Sequence, residues 1–483
     1  MGGMTHARPA VLERLHRLYD DVTPILPEEG RQAAAQARSS LGEPLRLAVV
    51  GRVSSGKSTL VNALVGRRIA PTSAGECTRV VTWYRFGAPD RAVLDLDDGS
   101  SRPVPLVDGG LPEQLEVPAE KVERLVVHLS SGPLRQLTLI DTPGLDTLTA
   151  RNEAATRRAI LGEGDASQRA AGEADALLYL VGDAARRSDV DFLADFHASS
   201  GSLSATAQNA VGILAQADRF GSGPFDPRDP FDVAREVAIG LAEAHRGELA
   251  AVVPLSGLLA ETARTGRISE SVARRVADLA GEDAVTLALR RQDPDRQDLF
   301  RAFGPHGLNA GREQALGGAA QLKSWCESVS GVVDLERVVR RQLVPRADLL
   351  KAIRALGVIR TLAGRLGAAP RDQALALVEA AELDPTMHPL NELQALHAVA
   401  SQAPTSPLGP QLTRFIDQPE PQALLDLEVT VGAAELVAAA RRRSAEATRA
   451  ASLALSPAEA AAGRVLARSY QLLARQLAAE GGA

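Results

Sequence analysis

The octapeptide Gly51-Arg52-Val53-Ser54-Ser55-Gly56-Lys57-Ser58 has the spacing G-x-x-x-x-G-K-[ST], which is a device for holding a polyphosphate. Gly51 and Gly56 let the loop curl until its backbone N–H groups converge at a helix N-terminus, where aligned peptide dipoles favour an anion. Ser54, Ser55 and Thr59 lie within or beside the curl. Lys57 supplies a compact charge for β- and γ-phosphates, and the Ser58 hydroxyl suits Mg²⁺. The apolar run LRLAVV precedes the loop and the helical TLVNALVG follows it. That strand–loop–helix context is what the motif requires, and a chance glycine- and serine-rich turn would need neither flank.

Three further segments have the residue types to complete such a site. Asp141-Thr142-Pro143-Gly144 closes the apolar run LTLID. An aspartate at a strand's carboxyl end can hold Mg²⁺ through a water, and the Gly144 N–H can meet a γ-phosphate. Alone, the tetrapeptide reads better as an ordinary β-turn, and the preceding phosphate loop is what favours the site reading. Within PTSAGECTRVVTWY, Thr78 has the place of a switch residue that covers the metal and the γ-phosphate, with a plain strand-starting threonine as the alternative.

The third segment, Ala215-Gln216-Ala217-Asp218, follows another apolar run. The Asp218 carboxylate can accept two bonds from the guanine edge, each worth ~1.5–3 kcal/mol. Adenine would leave it facing an acceptor. The usual pattern here is [NT]-K-x-D, from which Ala215 and Gln216 both depart. Gln216 can lie against a base but brings no charge, and a loop-capping role for Asp218 stays open. Ser256-Gly257, after the last apolar run, has the place of a final guanine-contacting loop.

Elements that would position these residues are legible from periodicity. The runs at 45–50, 78–86, 92–96, 124–129, 137–141, 176–181, 211–215 and 251–255 read as strands, with helical stretches between several of them. The pattern predicts an α/β P-loop GTPase domain, a mostly parallel sheet with helices on both faces. Beyond residue 305 only helical patterns follow. Val11, Leu15, Leu18 and Val22 form one apolar stripe, and Leu466, Tyr470, Leu473 and Leu477 form another. Amphipathic helices at both ends of a chain can pair into one all-α helical bundle. The expected division is N-terminal helices over 1–42, a GTPase domain over 43–305 and the bundle over 306–483, which the resemblance given below implies is a neck and stalk.

Composition excludes several classes. Aromatics are only 3% of the 483 residues, which suits Leu/Val/Ala-rich helical packing. The net charge of −6 argues against a nucleic-acid-coating protein, so no nucleic-acid partner is expected. Cys77 and Cys326 are too few for a disulfide scaffold, and a cytoplasmic location is expected. The N-terminal residues contain no signal-peptide core, and no stretch is apolar for the ~18 residues a spanning helix needs. Any membrane contact would be peripheral.

Together, VVGRVSSGKSTLVNALVG, the segment around Thr78, DTPGLD, the AQAD segment and VVPLSGLLAETA resemble the bacterial dynamin-like GTPases, in particular the actinobacterial isoniazid-inducible type. The likeness spans roughly residues 45–265. Lys57 and Asp141 are 84 residues apart, about twice the separation in small Ras-like GTPases. The resemblance implies Mg²⁺-dependent binding of GTP/GDP, hydrolysis of GTP, self-association and lipid binding at the tip of a stalk. It assigns catalytic roles to Ser54, Lys57, Ser58 and Thr78, and metal roles to Ser58, Thr78 and Asp141. Two departures bear on turnover. Leu145 stands where Ras-type enzymes carry a water-orienting Gln, and Val53 where eukaryotic dynamins carry theirs. Hydrolysis would then rely on backbone near Thr78, a cation near Ser54 or a dimer partner, with slow basal turnover.

Residues 331–371 carry nine Lys/Arg against three acids. Such a cluster suits either an anionic leaflet or a solvated face paired with acidic helices. No exposed apolar loop is evident as a lipid-inserting tip. Three readings follow: a dynamin-like GTPase on the inner face of a bacterial membrane, a cytosolic Era-like switch, and a weakly hydrolysing GTP-binding scaffold paired with a second dynamin-like subunit.

Overall fold

The computed structural model describes residues 7–52, 54–71, 80–112, 114–143, 174–182, 187–199, 209–221, 228–417 and 420–481. The readings placed on Val53, Thr78, Gly144 and Leu145 lie outside these residues. Nine strands form one sheet: β1 (Leu45–Gly51), β2 (Thr82–Phe86), β3 (Arg91–Leu96), β4 (Ser101–Val104), β5 (Val122–Leu129), β6 (Leu137–Asp141), β7 (Ala176–Val181), β8 (Ala210–Ala215) and β9 (Ala251–Leu255). Their order is β4-β3-β5-β2-β6-β1-β7-β8-β9. From β6 to β9 every neighbouring pair is parallel, while β2 runs antiparallel to β6, and β3 antiparallel to both β4 and β5.

β1 and β7 are buried along their whole length. Helices cover both faces of a parallel sheet, so its central strands read as unbroken apolar runs rather than alternations. β4 was not expected from the sequence. It is a four-residue edge strand, SRPV, largely exposed and interrupted by Pro103, so it carries neither an apolar run nor an alternation. Such short, proline-bearing edges resist further strand pairing.

Two N-terminal helices, α1 (Ala7–Val22) and α2 (Glu28–Ser40), precede the sheet. The stripe Val11, Leu15, Leu18 and Val22 is 0–1% exposed, and each such side chain contributes about 1.5–3 kcal/mol on burial. The partner surface comes from the other end of the chain, since α1 packs on the helices Ala347–Ala363 and Ala368–Glu382. The Tyr19 hydroxyl donates to the Ala355 carbonyl at 3.0 Å.

The helices Ala433–Leu453 and Pro457–Gly481 form a long hairpin. They approach so closely that a Cβ at Gly463 would lie 2.8 Å from the Ala451 backbone. Leu466, Tyr470, Leu473 and Leu477 are buried against this bundle. Among the described residues no helix is long and apolar enough to cross a membrane.

The basic segment is mostly tied internally. Arg346 pairs with Asp417 at 3.0 Å, Arg354 with Asp175 at 2.8 Å, Arg337 with Asp334 and Arg360 with Glu382 at 2.5 Å. Lys351 donates to the carbonyls of Leu41 and Glu43. All but the exposed Arg337–Asp334 pair tie separate elements of the fold, which narrows any lipid-facing charge on this stretch.

Candidate nucleotide site

Because β6, β1, β7, β8 and β9 run parallel, their carboxyl ends share one edge of the sheet, where open α/β sheets bind ligands. That topology sets Asp141 after β6, the glycine-rich loop after β1, Gln216 and Asp218 after β8, and Ser256 after β9 along one line.

The loop is curled as the spacing predicts. A Cβ at Gly51 would lie 2.8 Å from Leu180 Cβ on β7, so only glycine allows the loop to leave the sheet there. Gly56 has φ 94° and caps helix α3 (Lys57–Val65), a left-handed conformation that glycine adopts freely. Ser54 also has a positive φ, 60°. Lys57 is buried, and its Nζ donates to the carbonyls of Arg52 at 2.8 Å and Gly51 at 3.1 Å. The Ser55 hydroxyl donates to Arg52 at 2.8 Å, tightening the same turn. Thr59, on the first turn of α3, lies against Gly257.

The start of α3 and the end of β6 bring two oxygen-bearing groups together. The Ser58 hydroxyl donates to Asp141 Oδ2 at 3.3 Å, while Asp141 Oδ1 is buried without a hydrogen-bond partner. Burial pushes the Asp141 carboxyl up to about 6, opposed by the charge of Lys57, the bond from Ser58 and the backbone N–H of Thr142. A buried carboxylate oxygen lacking a donor, beside a hydroxyl, is a hard-oxygen set that fits Mg²⁺. The Thr142 hydroxyl donates to the Val49 carbonyl at 2.9 Å and fixes the end of β6 against β1.

On the base side, Gln216 has φ 57°, and its Nε2 donates to the Ser54 carbonyl at 3.2 Å. Arg219 donates to Gln216 Oε1 at 3.1 Å. Gln216 thus ties the turn after β8 to the phosphate loop. Asp218 sits in the 3-10 turn Ala217–Arg219. Behind it the helix Gln297–Ala315 breaks at Gly304, where a Cβ would lie 3.6 Å from Asp218 Oδ2.

Ser256, expected in a guanine-contacting loop, directly follows β9. Its side chain is fully buried and accepts from the Leu259 N–H at 3.4 Å, capping the helix Gly257–Arg264. A serine before a helix is favoured for that purpose, so its hydroxyl is taken up by the cap.

Two polar groupings near the loop were not singled out as site residues from the sequence. Asp189 accepts from the Tyr179 hydroxyl at 2.9 Å and lies 3.8 Å from the Arg52 guanidinium. Asn62 of α3 and Glu261 of the Gly257–Arg264 helix are buried and bonded to each other at 2.7 Å. Asp189 stands in no motif; Asn62 and Glu261 fall within the segments TLVNALVG and VVPLSGLLAETA, but only the fold pairs them.

A curled glycine loop with a buried lysine, an aspartate beside the loop serine and a further aspartate in the turn after β8, all on one sheet edge, define a P-loop nucleotide-binding domain. A family model for the dynamin family matches residues 47–202. Isoniazid-induced protein IniC of Mycobacterium tuberculosis is 33% identical over 390 residues, covering 76% of this chain and 76% of the relative. The chain belongs to the dynamin family and is a dynamin-like GTPase. A bacterial dynamin-like protein of Nostoc punctiforme is 32% identical over 123 residues, 22% of this chain and 18% of that one. Dynamin-like protein 2 of Campylobacter jejuni is 24% identical over 192 residues, 39% and 28% of the respective chains.

Proposed function

We propose that this chain binds GTP with Mg²⁺ and hydrolyses it slowly until two GTPase domains meet, and that it works as a peripheral protein on the inner face of a bacterial membrane. The observation that carries the nucleotide reading is the Ser58–Asp141 pair with its partnerless buried Oδ1, set beside the curl that encloses Lys57. Lys57 would exchange loop carbonyls for β- and γ-phosphate oxygens, and the amides from Ser54 to Ser58 would face the phosphates. Ser58 and Asp141 would hold Mg²⁺, the latter through water, with Thr78 as the remaining ligand. When bound, the ion neutralises charge developing between the β- and γ-phosphates. Asp218 would read the guanine edge, and Gln216 would keep that turn in register with Ser54.

Membrane contact is supported by Leu453 and Leu455, which are 79% and 99% exposed at the turn of the long C-terminal hairpin. Here the structure differs from the sequence reading, because the short LAL segment merges with the helical pattern and only the turn reveals its exposure. In this reading the boundary between GTPase domain and bundle lies near Val339–Leu343 rather than at 305/306. The supporting contacts are those of helices Gln297–Ala315 and Gly318–Val329 with Gly257–Arg264, and the Ser256 N–H bond to the Ser330 carbonyl at 2.8 Å.

Calorimetry with GTP and magnesium tests binding, and Lys57→Ala is expected to abolish the heat. Phosphate release per molecule should rise with protein concentration and with anionic liposomes. Turnover without liposome binding would favour the cytosolic switch, and binding without turnover would favour the scaffold with a second dynamin-like subunit.

A further inference from the structure

Asn62 is fully buried on α3 and uses its whole amide. Its Oδ1 accepts from the N–H groups of Ile69 at 2.9 Å and Ala70 at 2.8 Å, and its Nδ2 donates to the Ala70 carbonyl at 3.0 Å and to Glu261 Oε1 at 2.7 Å. Glu261 is 2% exposed and is flanked by Arg68 at 3.6 Å and Arg267 at 3.8 Å. Its helix begins at Gly257, packed on Thr59 of the phosphate loop's own helix. One amide therefore joins the helix that starts at Lys57, the helix that follows β9, and the backbone at Ile69 and Ala70 that follows the phosphate loop's helix. Neither side chain reaches the nucleotide edge, and their bonds serve to place other atoms.

We propose that Asn62 and Glu261 are positioning residues of GTP hydrolysis. They fix Ile69 and Ala70 relative to the phosphate loop, so that their loss lowers turnover rather than nucleotide affinity. The proposal rests on the hydrolysis reading above. A buried, fully satisfied polar network specifies one geometry because every alternative leaves a donor or acceptor unpaired. Reacting groups displaced by about 1 Å can lose up to about 10²-fold in rate.

Asn62→Asp keeps the acceptor for Ile69 and Ala70 but sets a carboxylate oxygen against Glu261 and the Ala70 carbonyl. Its kcat is expected to fall about 10-fold, while the Kd for GDP changes by less than about 3-fold, under 1 kcal/mol. Adding Glu261→Gln gives the new carboxylate an amide donor, so the double variant N62D/E261Q should recover most of the lost kcat. If N62D does not fold, Glu261→Ala, which spares Asn62's backbone bonds, should lower kcat in the same direction. Unchanged turnover, parallel losses of GDP affinity and kcat, or no recovery in the double variant would overturn the proposal alone. Absence of turnover in the unmodified chain would overturn the hydrolysis reading itself, and this proposal with it.

Discussion

Arg354 of the Ala347–Ala363 helix and Asp175, which immediately precedes β7, form an ion pair with Nε 2.8 Å from Oδ1, both side chains almost wholly buried. Asp175 Oδ2 also accepts from the Arg46 N–H at 2.9 Å, and Arg354 Nη2 donates to the Ser40 hydroxyl at 2.9 Å. The C-terminal bundle, the N-terminal helices and the starts of β1 and β7 thus converge on one pair. The far end of β1 is Gly51, so the strand beginning beside Arg46 ends in the phosphate loop.

Removing one member leaves a buried charge uncompensated. Arg354→Met should destabilise the chain by ~3–5 kcal/mol, and R354M with Asp175→Asn by clearly less than the sum of the two single changes. Urea unfolding of the full chain measures both. Additive losses would show that the two side chains do not act as a pair.

Asp218→Asn exchanges a charged double acceptor for an amide that both donates and accepts. Each lost charge-assisted bond is worth ~1.5–3 kcal/mol, so guanine nucleotides should bind at least about 10-fold more weakly. Xanthine carries an oxygen where guanine carries the amino group, and its nucleotides should bind the variant better than the parent. A competition assay against labelled GDP reads both changes.

A buried cluster in the bundle sets a pH signature. The Ser469 hydroxyl donates to Glu392 Oε1 at 2.6 Å and lies 2.9 Å from His388 Nε2. Burial raises Glu392 to about 7 and lowers His388 to about 4. Glu392, raised on folding, contributes stability that is complete below its unfolded value of 4.5 and lost as pH rises through about 7. His388, lowered on folding, contributes stability that is complete above 6.5 and lost as pH falls through about 4. Across pH 4.5–6.5 the two slopes oppose each other. Relative to the parent, Glu392→Gln should gain stability with rising pH over that window, and His388→Gln should lose it. Thermal melts at half-unit steps test the opposite signs.

Replacing Leu453 and Leu455 together by Ser removes the two exposed leucines at the hairpin turn without touching the nucleotide edge. Co-sedimentation with anionic liposomes should be lost while GTP turnover in solution is kept. Sedimentation equal to that of the parent would place membrane contact elsewhere.

The placement of Lys57, Ser58, Asp141 and Asp218 along one end of the sheet was legible in the sequence because each stands in a short motif at the end of an apolar run. The stripes at Val11–Val22 and Leu466–Leu477 were legible because a helix repeats every 3.6 residues. Local spacing thus determined the phosphate loop, the strands that carry the site and the helical character of both ends. Tertiary structure alone decided what the remaining polar groups do. Ser256 is a helix cap because β9 ends there, and Gln216 is a tie because its turn faces Ser54. Asn62 meets Glu261 across 199 residues, and Arg354 meets Asp175 only when the bundle docks on the sheet. Hydrogen bonds and ion pairs act over a few ångströms in space, and no periodicity in a chain encodes which distant residues come that close.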